Sequence, residues 1–185
     1  MIFPANDEVV EQVNRMGAFP FTGDAFRYTA ARRDPLSGAG ARLHGGRWNP
    51  RDIYAATYLA IPEQACMGEF NRAAASQGMT PEIFLGAPKM FHTIQITNLP
   101  VLDLRDPAAL DEVGLSVDDI AGDDWEACQL VGHAAWFLEF AGVLAPSASG
   151  HGFVLAVFED RTNPGAVRVR SSTVLNQPLY RQLHS

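Results

Sequence analysis

Residues 53–76 have the sequence IYAATYLAIPEQACMGEFNRAAAS, in which the pattern changes from that of a strand to that of a helix. Residues 53–60 favour a strand, and Pro62 stands where a helix can begin, so a helix is predicted to about Ser76. Steps of three and four residues define an apolar face of this helix, through Pro62, Cys66, Phe70 and Ala73. Glu69 lies at the edge of that face, so a carboxylate is expected beside a buried stripe.

The rest of the chain mixes helices and strands without regular alternation, which indicates an α+β fold rather than a doubly wound sheet. Further helices are predicted from the Asn6 cap to about Arg15 and over residues 107–113, 123–140 and 178–183. Further strands are predicted over residues 24–29, 89–96, 101–104, 153–158 and 166–171. Residues 30–50 show no sustained period and predict a long loop, and long ordered loops are often functional.

Length and composition bound the architecture. With 185 residues, of which 47% are hydrophobic and 19% are charged, residues 1–185 are predicted to form one domain with a single core. The sequence has no internal repeat, and no apolar stretch approaches the roughly 18 residues of a membrane span. Residues 1–12 lack a basic-then-apolar secretion signal, so a cytoplasmic protein is expected.

Several classes of function do not fit these residues. The formal net charge of -7 argues against general nucleic-acid binding, because a phosphate backbone is bound by clustered positive charge over an extended surface. Residues 38–43 lack the third glycine and the preceding strand of a dinucleotide fingerprint. The five histidines show no metal-ligand spacing, so no metal is required. Cys66 and Cys128 lie in helical patterns and are expected to be buried thiols.

Arginines concentrate in one part of this acidic chain. Six of its thirteen arginines fall within residues 27–51, where Asp34 is the only acid. Guanidiniums pair two-pronged with phosphate oxygens, and glycines let the backbone approach a ligand, so an anion site is predicted there. Two alternatives remain open. Arg27 and Arg47 could form surface salt bridges to Asp24, Asp34 or Asp52, and Glu69 could form a structural ion pair with an arginine.

The order of these residues resembles the RES family of bacterial toxins, which is named for an arginine, a glutamate and a serine. The motifs that carry the resemblance are Arg27-Tyr28, Gly46-Arg47-Trp48-Asn49, Tyr58-Leu59-Ala60, and Ala65 with Glu69. When a mycobacterial NAD+ phosphorylase of the family is compared, the similarity covers most of the chain, including residues 65–67, 101–104 and 122–138.

The resemblance implies a fold like that of the ADP-ribosyltransferases, with short mixed sheets and flanking helices. It also implies that NAD+ is a substrate rather than a cofactor, and that inorganic phosphate displaces nicotinamide to give ADP-ribose-1''-phosphate. Hydrolysis of NAD+ and ADP-ribosylation of a protein target use the same donor site and stay open as alternatives. A cognate antitoxin, DNA-binding and able to block the active site, is the implied partner.

The family pattern also assigns roles to residues. Arg27 and Glu69 are expected to be catalytic, because a carboxylate stabilises the positive charge that builds on ribose as the nicotinamide bond breaks. The residues expected to bind NAD+ or phosphate are Tyr28, Arg47, Tyr58 and Ser147. Ser147 follows Pro146 as in the family, although an ordinary turn serine is the alternative, and Glu126 occupies a second position where a serine would fit.

An alternative hypothesis, from another class of function, is that the chain is a catalytically inactive module that binds a partner protein. The acidic surface and the altered serine region, with Glu126 after Trp125, favour this alternative. The enzyme hypothesis requires Glu69 for the consumption of NAD+, and the inactive-module hypothesis does not. The sequence does not indicate an oligomeric state.

Overall fold

A computed structural model describes residues 6–184, and a mixed sheet forms its centre. Predictions that concern Met1 to Ala5 and Ser185, including the absence of a secretion signal and the outer limits of the domain, lie outside the described residues. The strands are β1 Phe19–Ala30, β2 Ala56–Ile61, β3 Lys89–Asp103, β4 Gly142–Pro146, β5 Phe153–Phe158 and β6 Val167–Val174. The helices are α1 Asp7–Met16, α2 Ala39–His44, α3 Glu63–Ser76, α4 Pro81–Phe84, α5 Pro107–Glu112, α6 Val117–Ala121, α7 Glu126–Phe137 and α8 Gln177–His184.

The sheet closes on itself. The strand order is β1-β2-β5-β4-β3-β6, and β1 also pairs with β3 along its length, which joins the two ends of a five-strand ring. The β3–β4 pair is parallel and the other pairs are antiparallel, so the sheet is mixed. Strands β1 and β2 meet only at Phe26 opposite Ala60. This narrow contact leaves room for a cleft between the two strands, and the α+β class predicted from the sequence is confirmed.

Two apolar clusters pack helices against the ring of strands. Helix α7 buries Cys128, Val131 and Ala135 in a cluster that also includes Trp48 and β4. Helices α3 and α8 pack in another cluster, which includes Cys66, Met67, Phe70, Tyr180 and Leu183. Cys66 and Cys128 are both buried and free, as the sequence predicted. Helix α3 begins at Glu63 after a Pro62 cap, and its buried stripe carries Ala74 rather than the predicted Ala73.

Several predicted boundaries are wrong. The long helix was predicted for residues 123–140, but α7 ends at Phe137, and the chain turns through Glu139 at a φ of 65° into strand β4, which was not predicted. Residues 136–146 are apolar except for Glu139, so their pattern does not separate a helix end from a buried strand. The predicted loop over residues 30–50 contains helix α2. Strand β3 is continuous where two strands were predicted, and α4 and α6 were missed.

Candidate active site

A cleft of about 540 Å³ opens between β1, β2 and α3, and it gathers most of the predicted site residues. Five of the six predicted residues line it, namely Arg27, Tyr28, Arg47, Tyr58 and Glu69. They come from separate parts of the chain, which the β1–β2 contact and the turn before β2 bring together. The volume lies in the range of small-molecule and cofactor sites. Five of the residues predicted from the sequence therefore lie together at one cleft.

Ser147, the sixth predicted residue, lies behind the cleft and contacts its carboxylate. The Ser147 hydroxyl donates a hydrogen bond of 2.7 Å to Glu69 Oε1, and Ser147 is buried where β4 ends. Its one proton is thus committed to Glu69, so the Ser149 hydroxyl, 2.8 Å away, donates to Ser147. The Ser149 backbone N–H donates to the same oxygen at 3.2 Å. These contacts fix one carboxylate oxygen of Glu69 and leave the other free of protein hydrogen bonds within residues 6–184.

Arg27 lies on β1, and its guanidinium is hydrogen-bonded to the loop that follows β1. Nη1 donates to the backbone carbonyls of Pro35 at 2.6 Å and Ser37 at 3.2 Å. Burial lowers the pKa of Arg27, and the nearby charge of Arg33 lowers it further. An arginine stays protonated in proteins, so the remaining N–H groups of Arg27 present positive charge to the cleft.

Arg47 holds the opposite side of the cleft. Its Nη1 donates to the Asp119 carbonyl at 3.0 Å, and its guanidinium lies 5.7 Å from the centre of the Trp125 ring. This contact is within the range of a cation–π interaction, and Trp125 lines the cleft with 38% of its surface exposed. Arg47 thereby ties α6 and the residue before α7 to the cleft.

The ion-pair alternatives are wrong for the described chain. Asp24 pairs with Arg170 at 2.7 Å, and Asp52 pairs with its neighbour Arg51 at 3.1 Å. Asp34 instead accepts a hydrogen bond from the Leu36 backbone N–H. Among residues 6–184, no carboxylate lies within ion-pair distance of Arg27 or Arg47, and no arginine lies within that distance of Glu69.

Tyr58 uses its hydroxyl inside the protein. The hydroxyl donates to Asn49 Oδ1 at 2.7 Å and accepts from the Trp48 backbone N–H at 2.9 Å. A Cβ added at Gly46 would lie 2.4 Å from the same oxygen, so only glycine fits there. Burial raises the pKa of Tyr58, which keeps it a neutral donor. The Tyr58 hydroxyl is therefore engaged by Asn49 and the Trp48 backbone.

Tyr28 lines the cleft, and its ring packs against α3 and α4. Its ring meets Phe70 edge-on with centroids 5.0 Å apart, and Phe84 at 6.4 Å. Burial raises the pKa of Tyr28 to about 12, and the charges of Cys66 and Glu69 act in the same direction. The Tyr28 hydroxyl is therefore protonated near neutral pH and available as a hydrogen-bond donor.

Three cleft residues and one supporting serine were not assigned a role by the sequence analysis. Arg33, Arg72 and Trp125 line the cleft, and Ser149 supports Ser147. Arg72 donates to the Ala148 carbonyl at 2.8 Å and lies 3.8 Å from Asp123. Arg72 follows Glu69 by three residues, so the helical period could have found it. Nothing in the pattern around Trp125 or Ser149 predicts a position at the cleft.

Among residues 6–184, no three or more His, Cys, Asp or Glu side chains are arranged to hold a metal ion. No helix in that range is long and apolar enough to cross a membrane. Glu126 is exposed at the start of α7 and does not line the cleft.

Comparison with known proteins identifies the family of this chain. Residues 24–180 match the RES domain. The chain belongs to the RES family. Its predicted site residues, from Arg27 to Ser147, all fall within the matched range.

Close RES relatives occur in mycobacteria. The chain is 48% identical over 180 residues to proteins named NAD(+) phosphorylase MbcT from Mycobacterium bovis and from Mycobacterium tuberculosis, and the match covers 97% of each chain. It superposes with a TM-score of 0.92 on a chain of the crystal structure of the M. tuberculosis MbcT–MbcA toxin–antitoxin complex, covering 98% of this chain and 99% of that one. The predicted ADP-ribosyltransferase-like RES fold is confirmed by this match.

Proposed function

We propose that this RES-family chain is the toxin of a toxin–antitoxin pair and that it degrades NAD+ by phosphorolysis. Inorganic phosphate attacks the ribose carbon that carries nicotinamide, the glycosidic bond breaks, and the products are nicotinamide and ADP-ribose-1''-phosphate. The observation that carries the proposal is the Glu69 carboxylate, which is held by Ser147 in a cleft where Arg27 and Arg47 form no ion pair within residues 6–184. The 48% identity to the mycobacterial NAD(+) phosphorylases supports the same reaction.

Glu69 supplies the negative charge that this reaction requires. As the bond to nicotinamide breaks, positive charge develops on the ribose, and a fixed carboxylate stabilises that charge more than it stabilises the neutral sugar. Ser147 holds one oxygen of Glu69, so the other oxygen keeps its direction toward the cleft. Ser147 in this account is a positioning residue rather than a residue that contacts NAD+.

The arginines bind the phosphate groups. Arg27 and Arg47 each use one nitrogen on backbone carbonyls and retain N–H groups for a ligand. With no carboxylate in ion-pair distance among residues 6–184, their charge remains available to the NAD+ pyrophosphate or to the attacking phosphate. The rings of Tyr28 and Tyr58 provide apolar surface for the nicotinamide end.

The chain is further proposed to act with a cognate antitoxin that blocks the cleft and binds DNA. The structural match is to a toxin–antitoxin complex, and an enzyme that consumes NAD+ harms its own cell. Expression of the chain alone should arrest growth, and co-expression of its antitoxin should relieve the arrest. Harmless expression of a protein that consumes NAD+ in vitro would contradict the toxin role. The cytoplasmic location and the single domain stay predictions.

Product analysis tests the reaction. Purified protein is incubated with NAD+ with and without inorganic phosphate, and the products are identified by mass. Phosphate-dependent formation of ADP-ribose-1''-phosphate is expected. Free ADP-ribose as the sole product would make the chain a hydrolase, and ADP-ribose attached to a protein would make it a transferase. Unchanged NAD+ in every arm would favour the inactive partner-binding module.

A further inference from the structure

Arg33 is a cleft residue for which neither the sequence motifs nor the proposed roles account. It follows β1, lines the cleft, and is exposed. Its neighbour Arg32 is also exposed but does not line the cleft. Two consecutive arginines of similar exposure therefore differ in one respect, which is access to the cleft.

The guanidinium of Arg33 lies beside helix α2. A methyl group added at Gly40 would lie 2.8 Å from Arg33 Nη2, so the absence of a side chain at Gly40 makes room for the guanidinium. Within residues 6–184, Arg33 makes no ion pair of 4.0 Å or less. Its charge is thus placed at the cleft and is not neutralised by a contacting carboxylate.

Arg27 and Arg33 line the same cleft, and their like charges repel each other. The charge of Arg33 lowers the pKa of Arg27, after the larger effect of burial. Glu159 and Asp34 are the acids that act on Arg27 in the opposite direction. Glu159 Oε1 accepts hydrogen bonds from the Gly38 backbone N–H and the Thr57 hydroxyl, and Asp34 accepts from the Leu36 N–H. Both acids are engaged by the loop, and neither forms an ion pair with Arg27.

We infer that Arg33 and Arg27 together form a binding site for one phosphate group. Two guanidiniums that line one cleft, repel each other and form no ion pair within residues 6–184 are stabilised by an anion that lies between them. The group could belong to the pyrophosphate of NAD+ or to free phosphate, because the same N–H groups suit both. This inference rests on the proposed function only for the identity of the ligand, whereas the anion site stands on the arrangement of the two arginines.

Binding and kinetics of Arg33→Ala, with Arg32→Ala as the matched control, test the inference. Calorimetric titration uses inorganic phosphate in one arm and ADP-ribose in the other, so it is informative even if the protein does not turn over NAD+. Arg33→Ala should weaken one of the two ligands by about tenfold to a hundredfold, which is the effect of losing a charged hydrogen bond. A loss for phosphate, with a raised KM for phosphate alone, assigns the site to the free anion. A loss for ADP-ribose, with a raised KM for NAD+ alone, assigns it to the pyrophosphate.

Gly40→Ala provides a second variant that leaves Arg33 in place. Alanine favours the helix, so the melting temperature should not fall, but the added methyl group displaces the Arg33 guanidinium. Weaker binding of the same ligand as in Arg33→Ala is expected. Binding of both ligands by Arg33→Ala at the level of Arg32→Ala would overturn the inference. Failure of the proposed function would appear differently, as the absence of NAD+ consumption in the unmodified protein.

Discussion

The two walls of the cleft are built in different ways. The turn wall consists of Gly46, Trp48, Asn49 and Tyr58, and in it the Tyr58 hydroxyl joins Asn49 to the Trp48 backbone N–H through hydrogen bonds. The acid wall, formed by Glu69, Ser147 and Ser149, joins two distant parts of the chain through one carboxylate oxygen and leaves the other available. The turn wall is therefore expected to maintain the shape of the cleft, and the acid wall is expected to carry its chemistry. The turn wall should affect stability when it is changed, and the acid wall should affect turnover.

Gly132→Ala should have the largest effect, because it disturbs the support of the turn wall. A Cβ at this position in α7 would lie 2.1 Å from the Trp48 carbonyl oxygen and 2.8 Å from its carbon. Neither backbone can yield cheaply, so the free energy of unfolding should fall by about 4 kcal/mol. Denaturant unfolding measures the change. Gly40→Ala is the matched helical control, since its methyl group meets only the end of a flexible arginine, and equal loss in both variants would contradict the account.

Glu69→Gln should separate the acid wall from the turn wall. Glutamine keeps the size and the hydrogen-bonding capacity of the side chain but removes the negative charge. Turnover of NAD+ should fall by about a hundredfold to a thousandfold, which corresponds to about 3 to 4 kcal/mol, while the melting temperature changes little. Glu63→Gln, an acid in the first turn of the same helix that does not line the cleft, is the control. A lower melting temperature with near-normal turnover would make Glu69 a structural residue.

Tyr58→Phe should show the opposite pattern. Removal of the hydroxyl leaves the Trp48 N–H and Asn49 Oδ1 without the partner that each now has in Tyr58. The free energy of unfolding should fall by about 2 kcal/mol, because two polar groups in a buried turn lose a hydrogen bond. Chemical denaturation measures this loss, and turnover is scored only for the folded fraction. A stable variant with strongly reduced turnover would assign the Tyr58 hydroxyl to the ligand instead.

Ser147→Ala should have the smallest effect, because it frees the carboxylate without removing its charge. The loss of one hydrogen bond to a charged group should lower kcat by about tenfold and leave the KM for NAD+ nearly unchanged. Steady-state kinetics separate the two constants. Ser149→Ala, which acts on Glu69 only through Ser147, should lower kcat less. A raised KM with normal kcat in Ser147→Ala would mean that this serine contacts NAD+ directly.

The difference between the walls also explains what the sequence could predict. Glu69 was predicted from its place at the edge of an apolar helix face and from the order of the RES motifs, and Arg27 and Arg47 stood out because they cluster against the net charge. Their joint position in a cleft follows from the β1–β2 contact at Phe26 and Ala60, a single long-range pairing that no local pattern encodes. The resemblance to the RES family supplied that information.

The contacts that distinguish binding residues from supporting residues could not be predicted. Tyr58 looked like a ligand residue, but its hydroxyl depends on Asn49 and Trp48, which the backbone turn brings within hydrogen-bond distance. Ser147 was predicted to bind NAD+ or phosphate, with an ordinary turn serine as the alternative, and its contact with Glu69 was not predicted because strand β4, which ends just before it, was missed. Register and turn geometry decide both cases, and neither is visible in periodicity.

Nicotinamide release per folded molecule, measured side by side for Glu69→Gln and Tyr58→Phe at saturating NAD+ and phosphate, tests the central claim most directly. The account predicts a rate at least about a hundredfold below that of the unmodified protein for Glu69→Gln, and a rate within about threefold of it for Tyr58→Phe. Similar losses in the two variants, or the larger loss in Tyr58→Phe, would contradict the division of the cleft into a wall that holds its shape and a wall that carries its chemistry.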